Sequence, residues 1–478
     1  MQVQFHWQRQ DTAQPLYQQL IQYCQQEIAQ GNWLVGQTLP AQRTLAKQLG
    51  VNRSTISLVY QHLQAAGLIS GHRGGGTTII SNTWSLLMQQ KNLNWADYVE
   101  SGPFNANLPT IQTINRTEFS TPLRLSTGEL APGLLPKKLF QTALHQVSDQ
   151  LTQLNYLPPQ GDLKLRQQLA KELERWQIHA TPTQILITSG SLQALQLISV
   201  SLLNQQATVY TENPTYLKSL EVFQSAGIQL VGLPLTGNGL AYWQLPETPA
   251  QQVLYTIPSF HNPTGQVMTL EQRQALLTFA QKRQLPIIED TAYQDLWFTT
   301  PPPAPLKALD QTGAVIYLGT CSKNLAPGLR LGWVVASEPI IQRLADVKMQ
   351  TDYGASSLSQ STYAAILAQP AYQTYLTDLR QQLAQRCQAA LDALETYLTP
   401  YATWQAPTGG FYLWVKFDPR LNLTRLFQAA QQQGVLFNPG TVYSFRKSQA
   451  IRFSFAYAEP ADFRRGIEIL AQLIKAQF

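Results

Sequence analysis

Lys323 is the residue whose type and setting are best suited to chemistry in this 478-residue chain. It lies in YLGTCSKNLAPGLRLGW, residues 317–333, among small hydroxyl side chains and just after an apolar run, Ala314 to Leu318, that reads as a strand. Pro327 and Gly328 then force a turn before Arg330. A lysine held at a sheet edge can form a Schiff base with a carbonyl compound, provided its amine is deprotonated part of the time. The hydroxyls, with a cationic Arg330 seven residues on, make sense if an anion such as a phosphate sits beside that lysine. The plainer alternative is an exposed loop lysine. Upstream, Ser189, Gly190 and Ser191 form a tight turn between a short strand, Ile185 to Thr188, and a helix, Leu192 to Leu203. Such a turn leaves unpaired N–H groups at a helix start and suits an anion.

Holding these groups together calls for an α/β layer protein. A helix at Lys137–Leu151 precedes YLPPQGDLKLRQQLAKEL, residues 156–173, where a second helix starts near Asp162. Thr208–Tyr210, Val253–Ile257 and Leu285–Ile288 read as further strands. The segments IPSF before Asn262, LPII before Asp290 and VIYL before Lys323 read as strands whose C-terminal ends meet at one crevice, where open α/β sheets bind ligands. Residues 400–438, with GGFYLWVKF at 409–417, read as a small C-terminal subdomain, and Asp462–Lys475 as the terminal helix.

SKNLAPGLR resembles the cofactor-lysine segment of fold-type I pyridoxal-phosphate enzymes, the class I aminotransferases. TENPTY (211–216), HNPTG (261–265), EDTAY (289–293) and IRFSFA (451–456) occur in the chain order of that family, from roughly Leu125 onward. The resemblance implies pyridoxal 5'-phosphate as cofactor, linked to Lys323. It implies Asp290 at the pyridine nitrogen, keeping it protonated so that the ring acts as an electron sink. Asn262 and Tyr293 are expected to donate to the phenolate oxygen, and Tyr216 to stack on the ring unless it is a packed core tyrosine. Ser191, Thr320, Ser322 and Arg330 are expected to hold the phosphate. Leu192 stands where the family usually has Gln, which matters little if its backbone N–H is the ligand. Tyr156 resembles the family tyrosine that reaches across a homodimer to the partner's phosphate. Arg452 matches the arginine that takes an α-carboxylate by a bidentate fork.

The N-terminal eighty residues follow a different pattern. Leu16, Leu20, Tyr23, Cys24 and Ile28 recur at helix spacing after Pro15, and GNWLVGQTLP reads as a loop. Ala41–Leu49 is a short second helix, and Asn52 caps a third, Arg53–Ala66, with Ile56, Val59, Tyr60 and Leu63 inward. Leu68–Ile80 reads as a hairpin with HRGGG, residues 72–76, at its tip. This order describes a winged helix-turn-helix and resembles the GntR-type regulators. In such a module the helix after the turn enters the major groove, which puts Arg53, Ser54, Thr55 and Ser57 near base edges. Arg43 and Arg73 are placed to meet phosphate, Arg73 from the wing, where it can also touch the minor groove. Residues 1–80 hold five Arg or Lys and two Asp or Glu, a net of +3.

The chain therefore reads as multidomain: a winged helix-turn-helix (1–80), a linker (81–122) and a large fold-type I aminotransferase-like domain (123–478) for cofactor, effector and dimerisation. The combination resembles the MocR subfamily of bacterial transcriptional regulators. Within the linker, Trp84–Lys91 reads as a short helix, while Trp84, Trp95 and Tyr98 follow no sustained period. The formal charge of +6 is too mild a tilt to infer nucleic acid by itself. Three scattered cysteines suggest neither a disulfide framework nor metal-ligand spacing, and no metal is expected. MQVQFHWQRQ has no apolar leader core and no run of 18 apolar residues follows, so a cytoplasmic protein without membrane contact is expected. Two function classes meet these features. One is a regulator that binds double-stranded operator DNA with two half-sites and senses a small carboxylate-bearing amine, or pyridoxal phosphate itself. The other is a working aminotransferase with an accessory module. The groove-reading helix, for which a catalyst has no need, favours the regulator.

Overall fold

The computed structural model describes residues 2–9, 14–29, 32–72, 76–81, 107–152, 155–237, 239–248 and 250–478. The chain divides into two compact units, Met1–Arg116 and Thr117–Phe478. Arg73 and the segment Trp84–Lys91 lie outside the described residues.

In the first unit, α1 (Leu16–Ala29), α2 (Gln42–Leu49) and α3 (Arg53–Ala65) pack on a three-stranded sheet. That sheet is antiparallel, in the order β1 (Thr38–Leu39), β3 (Gly76–Ile79), β2 (Ile69–His72). The strand at Thr38–Leu39 corrects the reading of GNWLVGQTLP as loop. Two residues are too short for a periodic signal, and pairing with β3 makes the strand. Leu20, Cys24, Leu45, Ile56, Val59, Leu63 and Ile79 form one core, and Tyr60 donates its hydroxyl to the Pro40 carbonyl at 2.6 Å. Gly50 closes α2 in the left-handed conformation (φ 65°), where a side chain is disfavoured. A nine-residue helix, α4 (Pro109–Thr117), lies in the stretch read as linker, with Ile111 and Ile114 buried at helix spacing.

The second unit is built on an eight-stranded sheet. In chain order its strands are β4 (Ile185–Thr188), β5 (Thr208–Asn213), β6 (Gln229–Thr236), β7 (Gly239–Leu240), β8 (Gln252–Thr256), β9 (Ile287–Asp290), β10 (Val315–Thr320) and β11 (Gly332–Val335). Their spatial order is β4-β11-β10-β9-β8-β5-β6-β7, parallel from β10 through β6 and antiparallel on both sides of β11 and at β7. Successive side chains point to opposite faces. Ile185, Ile187, Trp333 and Val335 accordingly join one core, while Leu186, Ile316, Leu318 and Val334 join the other. Covering both faces explains why these strands read as continuous apolar runs. The segment IPSF is not a strand: β8 ends at Thr256, and residues 257–260 form the loop that carries the chain to Asn262. A separate antiparallel sheet holds β12 (Tyr412–Phe417) beside β13 (Ala450–Ser454), with α5 (Pro460–Lys475) at the C-terminal end.

Candidate functional site

Strands β9 and β10 run parallel in register, Asp290 opposite Leu318, so their C-terminal ends deliver Asp290 and Lys323 to one region. Asp290 is buried. The Tyr255 hydroxyl donates to its Oδ2 at 2.7 Å, and the Ala292 N–H to its Oδ1 at 3.1 Å. Burial raises its carboxyl above the usual range, although these hydrogen bonds and the Lys323 cation pull the other way. A carboxylate so desolvated gains from any cationic partner that enters. Tyr255, on the neighbouring β8, was not legible in the sequence, because a strand buried on both faces shows no alternation to mark one tyrosine as an orienting group.

Lys323 donates from Nζ to the Gly128 carbonyl at 2.8 Å. Gly128 has to be glycine, since a Cβ there would collide with the Tyr412 hydroxyl. That hydroxyl lies 2.8 Å from Tyr293 Oη, which is 3.5 Å from Asn262 Nδ2. The contact to Asn262 is long for a hydrogen bond, leaving the Asn262 amide available to an incoming oxygen. Arg452, on β13, is 3% exposed. Its Nη1 donates to Asn262 Oδ1 at 3.1 Å and its Nη2 to the Ser126 carbonyl at 2.6 Å. Among the described residues its Nε and the Ser126 hydroxyl have no partner. The guanidinium lies 4.0 Å from the Tyr412 ring and 4.9 Å from the Tyr443 ring, and among the described residues no carboxylate pairs with it. Tyr216 is half-buried, its ring 6.5 Å from that of Tyr443. Burial pushes its hydroxyl up to about 12.

The turn at Ser189–Ser191 opens the helix Ser191–Ser201, whose first N–H groups have no carbonyl within the helix to bind. Gly190 has φ 95°, and a Cβ on the facing Gly332 would stand 2.7 Å from its backbone, so the two chains meet here without side chains. Arg330, itself left-handed at φ 54°, donates from Nη2 to the Ser189 carbonyl at 3.2 Å and is exposed. The Thr320 hydroxyl is engaged with the Leu331 carbonyl at 2.9 Å and Ser322 Oγ at 3.0 Å, so it shapes the turn, whereas Ser322 is half-buried. Leu192 is 47% exposed at the helix start. Asp352 was missed by sequence reasoning. Its carboxylate accepts from Gln193 and from Lys348 Nζ at 2.9 Å, and these bonds hold it below the usual range despite burial. Tyr156 is 84% exposed; its ring lies 5.4 Å from that of Tyr353, and it is not brought to Lys323 within the chain.

In the first unit, Asn52 caps α3 by accepting from the Ser54 N–H at 3.1 Å. Arg53 and Ser54 are exposed in the first turn, Thr55 and Ser57 are half-buried, and Arg43 is exposed at the start of α2.

A doubly covered α/β sheet with lysine, aspartate and arginine converging at its strand ends, preceded by a winged helical module, defines a two-part protein. The chain belongs to the HTH-type transcriptional regulators that join a GntR module to an aminotransferase class I and II domain, the MocR-type arrangement. Residues 120–470 match the family Aminotransferase class I and II, and residues 16–79 match Bacterial regulatory proteins, gntR family. It is 46% identical to the HTH-type transcriptional regulator YisV of Bacillus subtilis (strain 168), over 96% of each chain. To the regulator NorG of Staphylococcus aureus (strain N315) it is 32% identical, over 91% of this chain and 99% of the other. Among solved structures it is similar to the kynurenine aminotransferase of Pyrococcus horikoshii in complex with PMP. There the TM-score is 0.74 at 30% identity, covering 78% of this chain and 96% of that one. It is also similar to the alpha-aminoadipate aminotransferase of Thermus thermophilus, complexed with N-(5'-phosphopyridoxyl)-L-leucine. That match has a TM-score of 0.73 at 29% identity, covering 80% and 99%.

Proposed function

We propose that this regulator binds pyridoxal 5'-phosphate at Lys323 and uses the loaded large unit to sense a small carboxylate-bearing amine, or the cofactor itself. The observation that carries the reading is Arg452: a buried guanidinium hydrogen-bonded to Asn262, with, among the described residues, an unpartnered Nε and no carboxylate beside it. Burying a charge without a partner is costly, and a ligand carboxylate relieves that cost.

The residues present fit the cofactor. Asp290 supplies the anion for a protonated pyridine nitrogen, and Asn262 with Tyr293 supplies donors for a phenolate oxygen. The Ser191 turn, Ser322 and Arg330 meet a phosphate, with Leu192 contributing only its backbone and Thr320 bracing the loop. Tyr216 offers a ring face. Bound there, pyridoxal phosphate supplies a carbonyl carbon for a primary amine and an electron-withdrawing ring. Arg452 orients the ligand's carboxylate and Asp290 holds a proton on the ring nitrogen.

The first unit reads double-stranded DNA through α3, with Arg53, Ser54, Thr55 and Ser57 at the groove and Arg43 and Arg73 on phosphates. The working form is a homodimer in the cytoplasm. Tyr156, exposed in the single chain, completes the partner's phosphate site, and each protomer takes one of two operator half-sites. No described helix is long and apolar enough to cross a membrane. The rival reading as a working aminotransferase is not favoured, because relatives matched along nearly the whole chain are named as regulators.

The test is a titration of the purified protein against DNA from its own upstream region, with and without pyridoxal phosphate and candidate amino acids. The protein should be yellow with cofactor, Lys323→Ala should abolish the colour that borohydride otherwise fixes, and a ligand should change the DNA affinity. A protein that stays colourless after addition of cofactor, or that shows no specific DNA complex, overturns the assignment.

A further inference from the structure

The three consecutive residues Ser126, Thr127 and Gly128 tie three charged groups together. The Ser126 carbonyl accepts from Arg452 at 2.6 Å, and the Gly128 carbonyl accepts from Lys323 Nζ at 2.8 Å. Between them, the buried Thr127 donates its hydroxyl to Glu118 Oε1 at 2.7 Å. Glu118 belongs to the second unit and is half-buried, and among the described residues it pairs with no lysine, arginine or histidine. Glu118 and Asp290 both act on Tyr216 as negative charges and Arg452 as a positive one.

Of the two carboxylates that act on Tyr216, Asp290 and Glu118, only Asp290 has a cation in the proposed site. Asp290 has the ring nitrogen of a bound cofactor as its counterpart, and Arg452 has a ligand carboxylate. Lys323 is the site of the ligand's amine. Glu118 is left over, an acceptor fixed by one neutral hydrogen bond and partly withdrawn from water. Thr127 is one residue, about 3.8 Å in Cα spacing, from each of the two residues that touch Arg452 and Lys323. The Glu118 carboxylate is thus one hydrogen bond from the segment whose carbonyls hold Arg452 and Lys323, the groups proposed to take a ligand's carboxylate and amine.

We infer that Glu118 is a specificity-determining residue, which selects effectors carrying a second, cationic nitrogen at the end of the side chain: a basic α-amino acid rather than a neutral or acidic one. This rests on the proposed reading of Lys323 and Arg452 as the effector site and adds the charge class of the ligand. A charge-assisted hydrogen bond in a partly dry site discriminates strongly against an analogue that lacks the group.

The test uses the full chain loaded with pyridoxal phosphate and follows its visible absorbance during titration with L-lysine, L-ornithine and the neutral L-norleucine. L-lysine or L-ornithine should half-saturate the change at a concentration about tenfold or more below L-norleucine. Glu118→Gln, which keeps an acceptor for Thr127 but removes the charge, should erase that preference. Glu118→Lys should turn it towards L-glutamate. If L-norleucine serves as well as L-lysine in the unaltered protein, or if the preference survives Glu118→Gln, charge selection by Glu118 is overturned while the effector site stands. The wild-type comparison decides this even where a variant does not fold. A loaded protein whose absorbance responds to no amino acid at all removes the effector site and the selection together.

Discussion

The two units present their functional groups in opposite ways. In the winged module Arg43, Arg53 and Ser54 stand exposed in water, and local devices such as the Asn52 cap hold the backbone near them. In the large unit Asp290, Asn262, Tyr293 and Arg452 are buried, at 2–8% exposure, and held by hydrogen bonds from residues far away in sequence. The contrast follows from the ligands. DNA is a polyanion that supplies its own field, so a reading helix needs mobile cations that desolvate on contact. A small molecule supplies little binding surface. Its site must be oriented beforehand, and that requires packing and desolvation before the ligand arrives.

If this contrast is right, mutations in the two units differ in size and in kind. The largest effect should come from Arg452→Ala, which should weaken ligands bearing a carboxylate by about 2–5 kcal/mol and leave amines without one nearly unchanged. Absorbance titration of both kinds checks this. Equal losses for the two would mean that Arg452 is only part of the scaffold. Next is Arg53→Ala, expected to cost about 1–3 kcal/mol on the cognate duplex and to relax preference at one position if the side chain reads a base. If it only holds phosphate, binding should weaken evenly and the salt slope should fall by about one. Anisotropy at two salt concentrations separates these, and the colour of the loaded protein should not change.

Smaller still, Asn52→Ala removes the acceptor for the Ser54 N–H and should destabilise the winged unit by about 1 kcal/mol. Thermal unfolding should show an earlier transition for that unit with cofactor retention intact; coincident loss of both would break the separation of the two. A further effect concerns pH. His261 in the large unit is buried, and desolvation pulls its pKa down to about 3. The unfolded chain takes up that proton as pH falls below about 6.5, whereas the folded chain does so only near 3. Stability present above about 6.5 is therefore lost on acidification, by up to about 1.4 kcal/mol per pH unit. His261→Asn should flatten this limb in denaturant titrations at pH 7 and pH 5. An unchanged limb would assign the acid sensitivity to other groups.

Much of the site was legible because it lies on short contiguous segments. EDTAY, HNPTG, SKNLAPGLR and IRFSFA each keep their functional residue beside the turn or strand that aims it. What stayed hidden depends on neighbours distant in the chain. Tyr255 meets Asp290 across 35 residues, and the Ser126 carbonyl meets Arg452 across 326. Glu118 has no local motif, and only its bond to Thr127 ties it to the segment touching Arg452 and Lys323. The reading also went wrong where local and tertiary signals compete. IPSF is apolar enough for a strand but lies past the end of the ladder, and Thr38–Leu39 becomes a strand only because β3 passes beside it.

Taken alone, the sequence determined the three helices of the winged module and the strands ahead of Asp290 and Lys323, since periodicity, capping residues and turn formers act over a few residues and need no partner to be read. It also supplied the candidate side chains for the chemistry. The tertiary structure decided which of those groups meet, how dry their surroundings are and which of them are left without a counter-charge. Burial and electrostatics depend on every element packed around a group, and no single stretch of sequence contains that surrounding.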